Sequence, residues 1–218
     1  MKASYQDPSI PGYVRAHATQ PDQLLRELAA ETVALTGGNA GMQISPEQGT
    51  LLTMLVRLSG ARLAVEVGTF TGYSAICIAR GLVPGGKLIA CDVSEEWTAV
   101  ARRYWEKAGL ADRIELRLGP AQRTLEALPE DEPIDFAFID ADKPGYAGYY
   151  HELVDRLAPG GLICADNTLQ GGRIADAGAG GNVPAMRAFN DLVNADPQVD
   201  SVLLPIADGL TLIRKHQP

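Results

Sequence analysis

Cysteine is scarce in this chain: Cys77, Cys91 and Cys164 are odd in number, far apart and each set among apolar neighbours. That excludes a disulfide framework or a zinc cluster and reads as buried thiols in a reducing compartment. Basic residues are outnumbered, 19 Lys and Arg against 27 Asp and Glu, for a formal net charge of −8. No run of Lys or Arg supplies the footprint of a nucleic-acid binder, so no nucleic-acid partner is expected. No stretch approaches the ~18 uninterrupted apolar residues of a membrane span. Met1–Arg15, broken by Pro8 and Pro11, has no apolar core for a signal peptide. A cytoplasmic protein with no membrane partner is the expectation. His17, His151 and His216 stand apart, with no acid or nucleophile patterned around them. Ser74 does not lie in a G-x-S-x-G elbow, which removes support for a hydrolase triad. Internal repeats are absent, and the one biased tract is a Gly-rich stretch near residue 178.

What is present fits one domain with a sizeable core: 218 residues, 46% apolar and 21% charged. Pro21-Asp22 before Gln23–Ala30 reads as a capped amphipathic helix, and Ser45-Pro46-Glu47 opens a second with Leu51, Leu52, Leu55 and Val56 on one face. Residues 1–40 are expected to form a helical extension and 41–218 the main domain. From Arg62 onward short apolar runs alternate with helical segments. Leu63–Val67, Lys87–Cys91, Ile114–Leu118, Ile134–Ile139 and Gly161–Ala165 read as buried strands. Ser74–Leu82, Glu95–Ala108, Ala121–Leu128 and Tyr146–Leu157 read as helices between them. That alternation predicts an α/β fold with a parallel sheet covered on both faces. Val199–Pro205 and Leu210–Arg214 flank Asp208-Gly209, so an antiparallel hairpin closes the sheet.

Ligands of open parallel sheets bind outside the carboxyl ends of the strands. Four of the five ends here carry a carboxylate: Glu66 beside Gly68, then Asp92, then Asp140-Ala141-Asp142-Lys143, then Asp166-Asn167. The first end is a Gly-rich turn that lets backbone N–H groups approach a ligand. Gly68 and Gly72 do not give G-x-G-x-x-G, and Glu66 would repel a pyrophosphate, so a ligand with a cationic part is favoured over a dinucleotide. Asp92, 24 residues after Gly68, can accept from both hydroxyls of a ribose, or serve as a helix-start acid near Ser94. Asp140, Asp166 and Asn167 offer two carboxylates and an amide oxygen, a hard donor set suited to Mg²⁺. Lys143, three residues after Asp140, can act as a general base beside a cation that disfavours its ammonium. Trp97 and Trp105 share a helix and read as packing.

The runs VEVGTFTGYSA, ACD, GPA, DFAFIDADKPGYAGYY, ADNTLQGG and LPIADGLTLIRK, in that order, resemble the cation-dependent O-methyltransferases of catechol and caffeoyl-CoA from about Met42 to Lys215. The resemblance implies a Rossmann-like methyltransferase fold with a seven-stranded, mostly parallel sheet, and a homodimer. It implies that Met42, Ile44, Glu66, Gly68, Thr69, Ser74, Asp92, Ala121, Asp140 and Asp142 contact S-adenosylmethionine. Asp140, Asp166 and Asn167 match the ligands of a divalent cation, Mg²⁺ or else Mn²⁺ or Ca²⁺. Lys143 matches the base, and Asp140 shares the catalytic centre with it. Tyr149, Gly171 and Asn190 match positions near the acceptor. The chain departs from the plant enzymes at Gln170, where Trp is frequent, and in the short Gly/Ala-rich segment 171–183. A free phenylpropanoid, flavonoid or other small catechol is therefore expected in place of a CoA ester. An NAD(P)-dependent oxidoreductase, or a non-catalytic binding protein of the same fold, are the other readings. Neither accounts for Asp166-Asn167 facing Asp140 with Lys143 beside them.

Overall fold

Asp22, Ser45 and Ser94 each sit in extended backbone just ahead of a helix, and each side chain accepts the backbone N–H three residues on, from Leu25, Gln48 and Trp97. These caps satisfy N–H groups that a helix start otherwise leaves unpaired. They open α2 (Gln23–Thr36), α3 (Pro46–Ser59) and α5 (Glu95–Lys107). A computed structural model describes residues 10–217; the part of the Met1–Arg15 reading that falls on residues 1–9 lies outside the described residues. Also present are α1 (Ile10–Ala16), α4 (Tyr73–Gly81), α6 (Ala121–Glu126), α7 (Tyr146–Arg156) and α8 (Val183–Ala195).

The strands are β1 (Leu63–Val67), β2 (Lys87–Asp92), β3 (Ile114–Leu118), β4 (Ile134–Ile139), β5 (Leu157–Ala165), β6 (Val199–Leu204) and β7 (Leu210–Lys215). They form one seven-stranded sheet in the order β3-β2-β1-β4-β5-β7-β6 among the described residues. β1 to β5 run parallel, and β7 pairs antiparallel with both β5 and β6. The expected sheet and closing hairpin are thus observed. Side chains along the central strands β1, β2 and β4 alternate between two cores, as the pleat requires. Ala64, Leu88, Ala90, Phe136 and Phe138 face Leu28, Leu52, Ile76 and Trp105 of α2 to α5. Val65, Val67, Ile89, Ala137 and Ile139 face Leu125, Tyr150, Leu153 and Phe189 of α6 to α8. Burial on both faces is why these strands read as mostly apolar runs.

Two elements differ from expectation. β5 begins at Leu157, not Gly161, because Leu157 pairs with Ile134 ahead of a register shift before the Phe136–Leu162 pair. Such an irregularity accommodates Pro159 and Gly160, which in sequence look like a turn. Helix α8 was not expected at all, although Pro184 in its first turn and buried Val183, Met186, Phe189 and Val193 carry its signal. Among the described residues no helix is long and apolar enough to cross a membrane.

Candidate active site

The strand order reverses between β1 and β4, whose neighbours lead away in opposite directions, and a crevice opens there beyond the strand ends. It is a cavity of about 990 Å³, at the upper end of the range for small-molecule sites. That is room for two ligands to meet. Of the residues named from the sequence, Met42, Ile44, Gly68, Thr69, Ser74, Asp92, Ala121, Asp140, Asp142, Lys143, Tyr149, Asp166 and Asn167 line it together.

Gly68 is where the backbone needs glycine. Its φ is +92°, and a Cβ there would lie 2.0 Å from the Asp140 carbonyl oxygen. The missing side chain lets the turns after β1 and β4 touch, which brings Asp140 beside the Gly-rich loop. Asp92 braces that loop from the other side. Its Oδ2 accepts from the Thr69 and Phe70 N–H groups at 3.0 and 2.7 Å, and its Oδ1 from Ser94 N–H at 2.8 Å. Asp92 thus supports the start of α5, as one sequence reading had it, and also lines the cavity.

Three residues named from the sequence do not line the cavity. Glu66 is wholly buried behind the wall, so it meets the cavity only through the Thr69 hydroxyl that donates to it and through Ser74. Burial first, then the Asp92 and Asp140 charges, push its carboxyl up to about 7. Gly171 is exposed outside the wall, its N–H given to the Asp208 carboxylate. Asn190 also lies outside it, because its amide donates to the Thr168 carbonyl at 3.0 Å and braces the Asp166-Asn167 turn from behind.

Polar contacts converge on Lys143. Its Nζ donates to Asn167 Oδ1 at 2.6 Å, to the Tyr146 hydroxyl at 2.8 Å and to Asp140 Oδ1 at 3.2 Å. The Tyr146 hydroxyl donates in turn toward the Asp166 carbonyl at 3.1 Å, so the buried tyrosine ties the ammonium to both strand ends. Burial raises the carboxyls of Asp140 and Asp166, the latter to about 7, with the Asp140 charge adding to the shift at Asp166. Among the described residues no three His, Cys, Asp or Glu side chains cluster as a metal site. The candidate donor set is the two carboxylates with the Asn167 amide oxygen.

Sequence reasoning missed several wall residues. Trp97 lines the cavity and meets Phe70 edge-on at 4.9 Å, whereas Trp105 is packing as expected. Gln43, Gln48, Ala207 and Asp208 line it too. The signal for Trp97 was its place in the first turn of α5, directly after Asp92.

Comparison with known proteins fits this geometry. A sequence model of the O-methyltransferase family matches residues 15–216. The chain belongs to the O-methyltransferase family. A Dictyostelium discoideum protein named probable caffeoyl-CoA O-methyltransferase 2 is 39% identical to this O-methyltransferase, over 99% of the chain and 94% of its own length. Caffeoyl-CoA O-methyltransferase 2 of Eucalyptus globulus is 40% identical over 80% of the chain and 75% of its own. The solved O-methyltransferase from Bacillus cereus, in complex with SAH, superposes with a TM-score of 0.86 at 32% identity, covering 95% of this chain and 97% of that one. The protein is thus an S-adenosylmethionine-dependent O-methyltransferase.

Proposed function

We propose that this O-methyltransferase depends on a divalent cation and methylates one hydroxyl of a vicinal-diol phenol, with Lys143 taking the proton. The observation that carries the reading is the convergence of Asp140, Asn167 and Lys143 within 3.2 Å, with Asp166 on the next strand end. Two buried carboxylates on neighbouring strand ends, with the Asp140 charge raising the carboxyl of Asp166, call for positive charge between them. Their oxygens and the Asn167 amide oxygen are hard donors, so the residues present fit Mg²⁺, Mn²⁺ or Ca²⁺. Bound there, the cation would supply Lewis acidity and a template for two neighbouring phenol oxygens.

The chain's own residues do the rest. Met42, Ile44, Thr69, Ser74, Asp92, Ala121 and Asp142 form the side of the cavity suited to S-adenosylmethionine. Asp92, Asp140, Asp142, Asp166 and Asp208 line it against a single lining lysine. That balance attracts a sulfonium and an ammonium and repels the pyrophosphate of a dinucleotide, which weighs against the oxidoreductase reading. Tyr149, whose hydroxyl donates to Asp142 Oδ1 at 2.6 Å, lines the cavity and would approach the acceptor. With a cation beside it disfavouring its ammonium, Lys143 would lie there as the neutral amine and take the proton of the attacking hydroxyl, and fixed placement of the two reactants would supply much of the rate. The relatives' names support a phenolic acceptor, while Gln170 in the wall and the short segment after it support a free catechol over a CoA ester. A homodimer belongs to the same reading through the sequence resemblance alone.

The test is transfer of labelled methyl from S-adenosylmethionine to a panel of small catechols, with Mg²⁺ and then with EDTA. Transfer abolished by EDTA and restored by Mg²⁺ is the expected result. Transfer indifferent to EDTA would remove the cation and leave Asp140, Asp166 and Asn167 as structural residues.

A further inference from the structure

The first turn of α3 reaches the cavity at Gln48, whose side chain is 1% exposed. In sequence Ser45-Pro46-Glu47-Gln48 is a capping box, in which the glutamine at the third helical position reaches back to the N–H of the capping serine. Only half of that box is made. Ser45 Oγ accepts the Gln48 N–H at 3.4 Å, but the Gln48 side chain does not return to Ser45. Its Nε2 is fully buried and lies within good hydrogen-bond geometry of no acceptor. Both Gln48 and the Asp166 carboxylate line the cavity, and the Gln48 amide is a neighbour that favours the ionised form of that carboxylate.

The fold goes to some length to place this amide. Gly49, next in sequence, packs against Tyr73 and Cys77 so closely that a Cβ would lie 2.9 Å from each. Glycine therefore lets the start of α3 press onto α4 and carries Gln48 into the cavity wall. A buried amide donor without a partner costs about 1–3 kcal/mol, so a residue that declines a local partner is held for one at the site. Asp166 is suited to receive it. Its Oδ1 already accepts the Asn167 N–H at 2.8 Å, and its remaining lone pairs are what any cation and any second donor must share.

We propose that Gln48 is a positioning residue for the Asp140, Asp166 and Asn167 oxygen set: its amide donates to the Asp166 carboxylate and fixes which oxygen that carboxylate turns to the cavity. This rests on the cation reading above. Carboxylates that hold metals are themselves hydrogen-bonded, and loss of such a partner typically weakens the metal 10–100-fold. On this reading the Gln48 amide serves the oxygen set and has no part in holding S-adenosylmethionine.

The experiment is calorimetric titration of Mn²⁺ into the full-length protein and into Gln48→Met, which matches the length but has no donor. Titration of S-adenosylhomocysteine in EDTA runs beside it. The expected result is Mn²⁺ bound roughly 10–100-fold more weakly by the variant, with S-adenosylhomocysteine affinity unchanged. Equal Mn²⁺ affinity in the two proteins overturns the role of Gln48 and leaves the cation reading intact. No saturable Mn²⁺ binding by the parent overturns both. A thermal-melt cycle of Gln48→Met, Asp166→Asn and the double variant, all without metal, guards against a folding defect. Non-additive shifts are expected for groups in contact, and strictly additive ones sink the proposal.

Discussion

Phe70, Asn167, Gln170 and Ala207 hold left-handed backbone, and all four line the cavity. Each such residue costs of order 1–3 kcal/mol and persists where surrounding contacts over-determine it. Strain gathers at the cavity, and so does unusual titration. Glu66, with its carboxyl at about 7 against an ordinary 4.5, holds its proton more tightly folded than unfolded. Stability from this group is therefore full below pH ~4.5 and is lost as pH rises through ~7, by on the order of 3 kcal/mol. Glu66→Gln keeps the shape and cannot ionise. Without cofactor, its melting temperature should match the parent's near pH 5 and exceed it near pH 8. An offset that is the same at both pH values would mean another group titrates. The acids at the strand ends were legible because sequence shows which residues follow each apolar run. It does not show depth, so Glu66 and the adjoining Asp92 looked equivalent although one is behind the wall and the other in it. Gln48 was illegible for a different reason: its local role as a capping-box member is complete in sequence, and only the tertiary approach of α3 to α4 shows the side chain turned elsewhere.

At the scale of elements, the site depends on how closely β1 and β4 approach at their carboxyl ends. Gly68 N–H donates to the Cys91 carbonyl at 2.9 Å and Asp140 N–H to the Val67 carbonyl at 2.8 Å, so three strand ends lock together around one glycine. Gly68→Ala must either part β1 from β4 or force a methyl group into the Asp140 carbonyl, on a backbone that an L residue already resists. A loss of about 3 kcal/mol or more is expected, read as a lower urea midpoint. S-adenosylhomocysteine affinity should fall with it, because the same displacement moves Thr69 and Asp140. An unchanged midpoint would show that the close approach is not what shapes the loop. The strands were legible because two-sided burial leaves them as apolar runs bounded by Gly, Asp or Pro. Helix α8 was not, because the Gly-rich segment before it drew the eye to a loop. Its apolar spacing, Val183, Met186, Phe189 and Val193, is as regular as that of the helices that were found. The early start of β5 could not be read either, since Pro159-Gly160 signals a turn and only pairing with β4 overrides it.

At the scale of the whole molecule, the two cores share one sheet, and α2 belongs to the first of them through Leu25 and Leu28. The Thr32 hydroxyl also meets that of Thr71 at 2.8 Å, joining the N-terminal helix to the Gly-rich loop. Opening either core exposes strands that the other core needs, which makes unfolding a single cooperative event. The three cysteines report on this. Cys77 lies on α4, Cys91 on β2 and Cys164 on β5, all buried and unpaired. Cys77 and Cys164 face the first core and Cys91 the second. Burial pushes the Cys77 and Cys91 thiols up to about 12 and Cys164 further, so none has appreciable thiolate to react while folded. Under mild denaturant, modification by a disulfide-exchange reagent should therefore consume all three thiols in one exponential phase, at a rate that follows the fraction of molecules unfolded. Assignment of the labelled sites by mass spectrometry checks it. Cys77 and Cys164 reacting ahead of Cys91 would show that the α2–α5 face opens alone, making the N-terminal helices a separable layer and leaving the Asp140 and Asp166 strand ends in a core that survives without them.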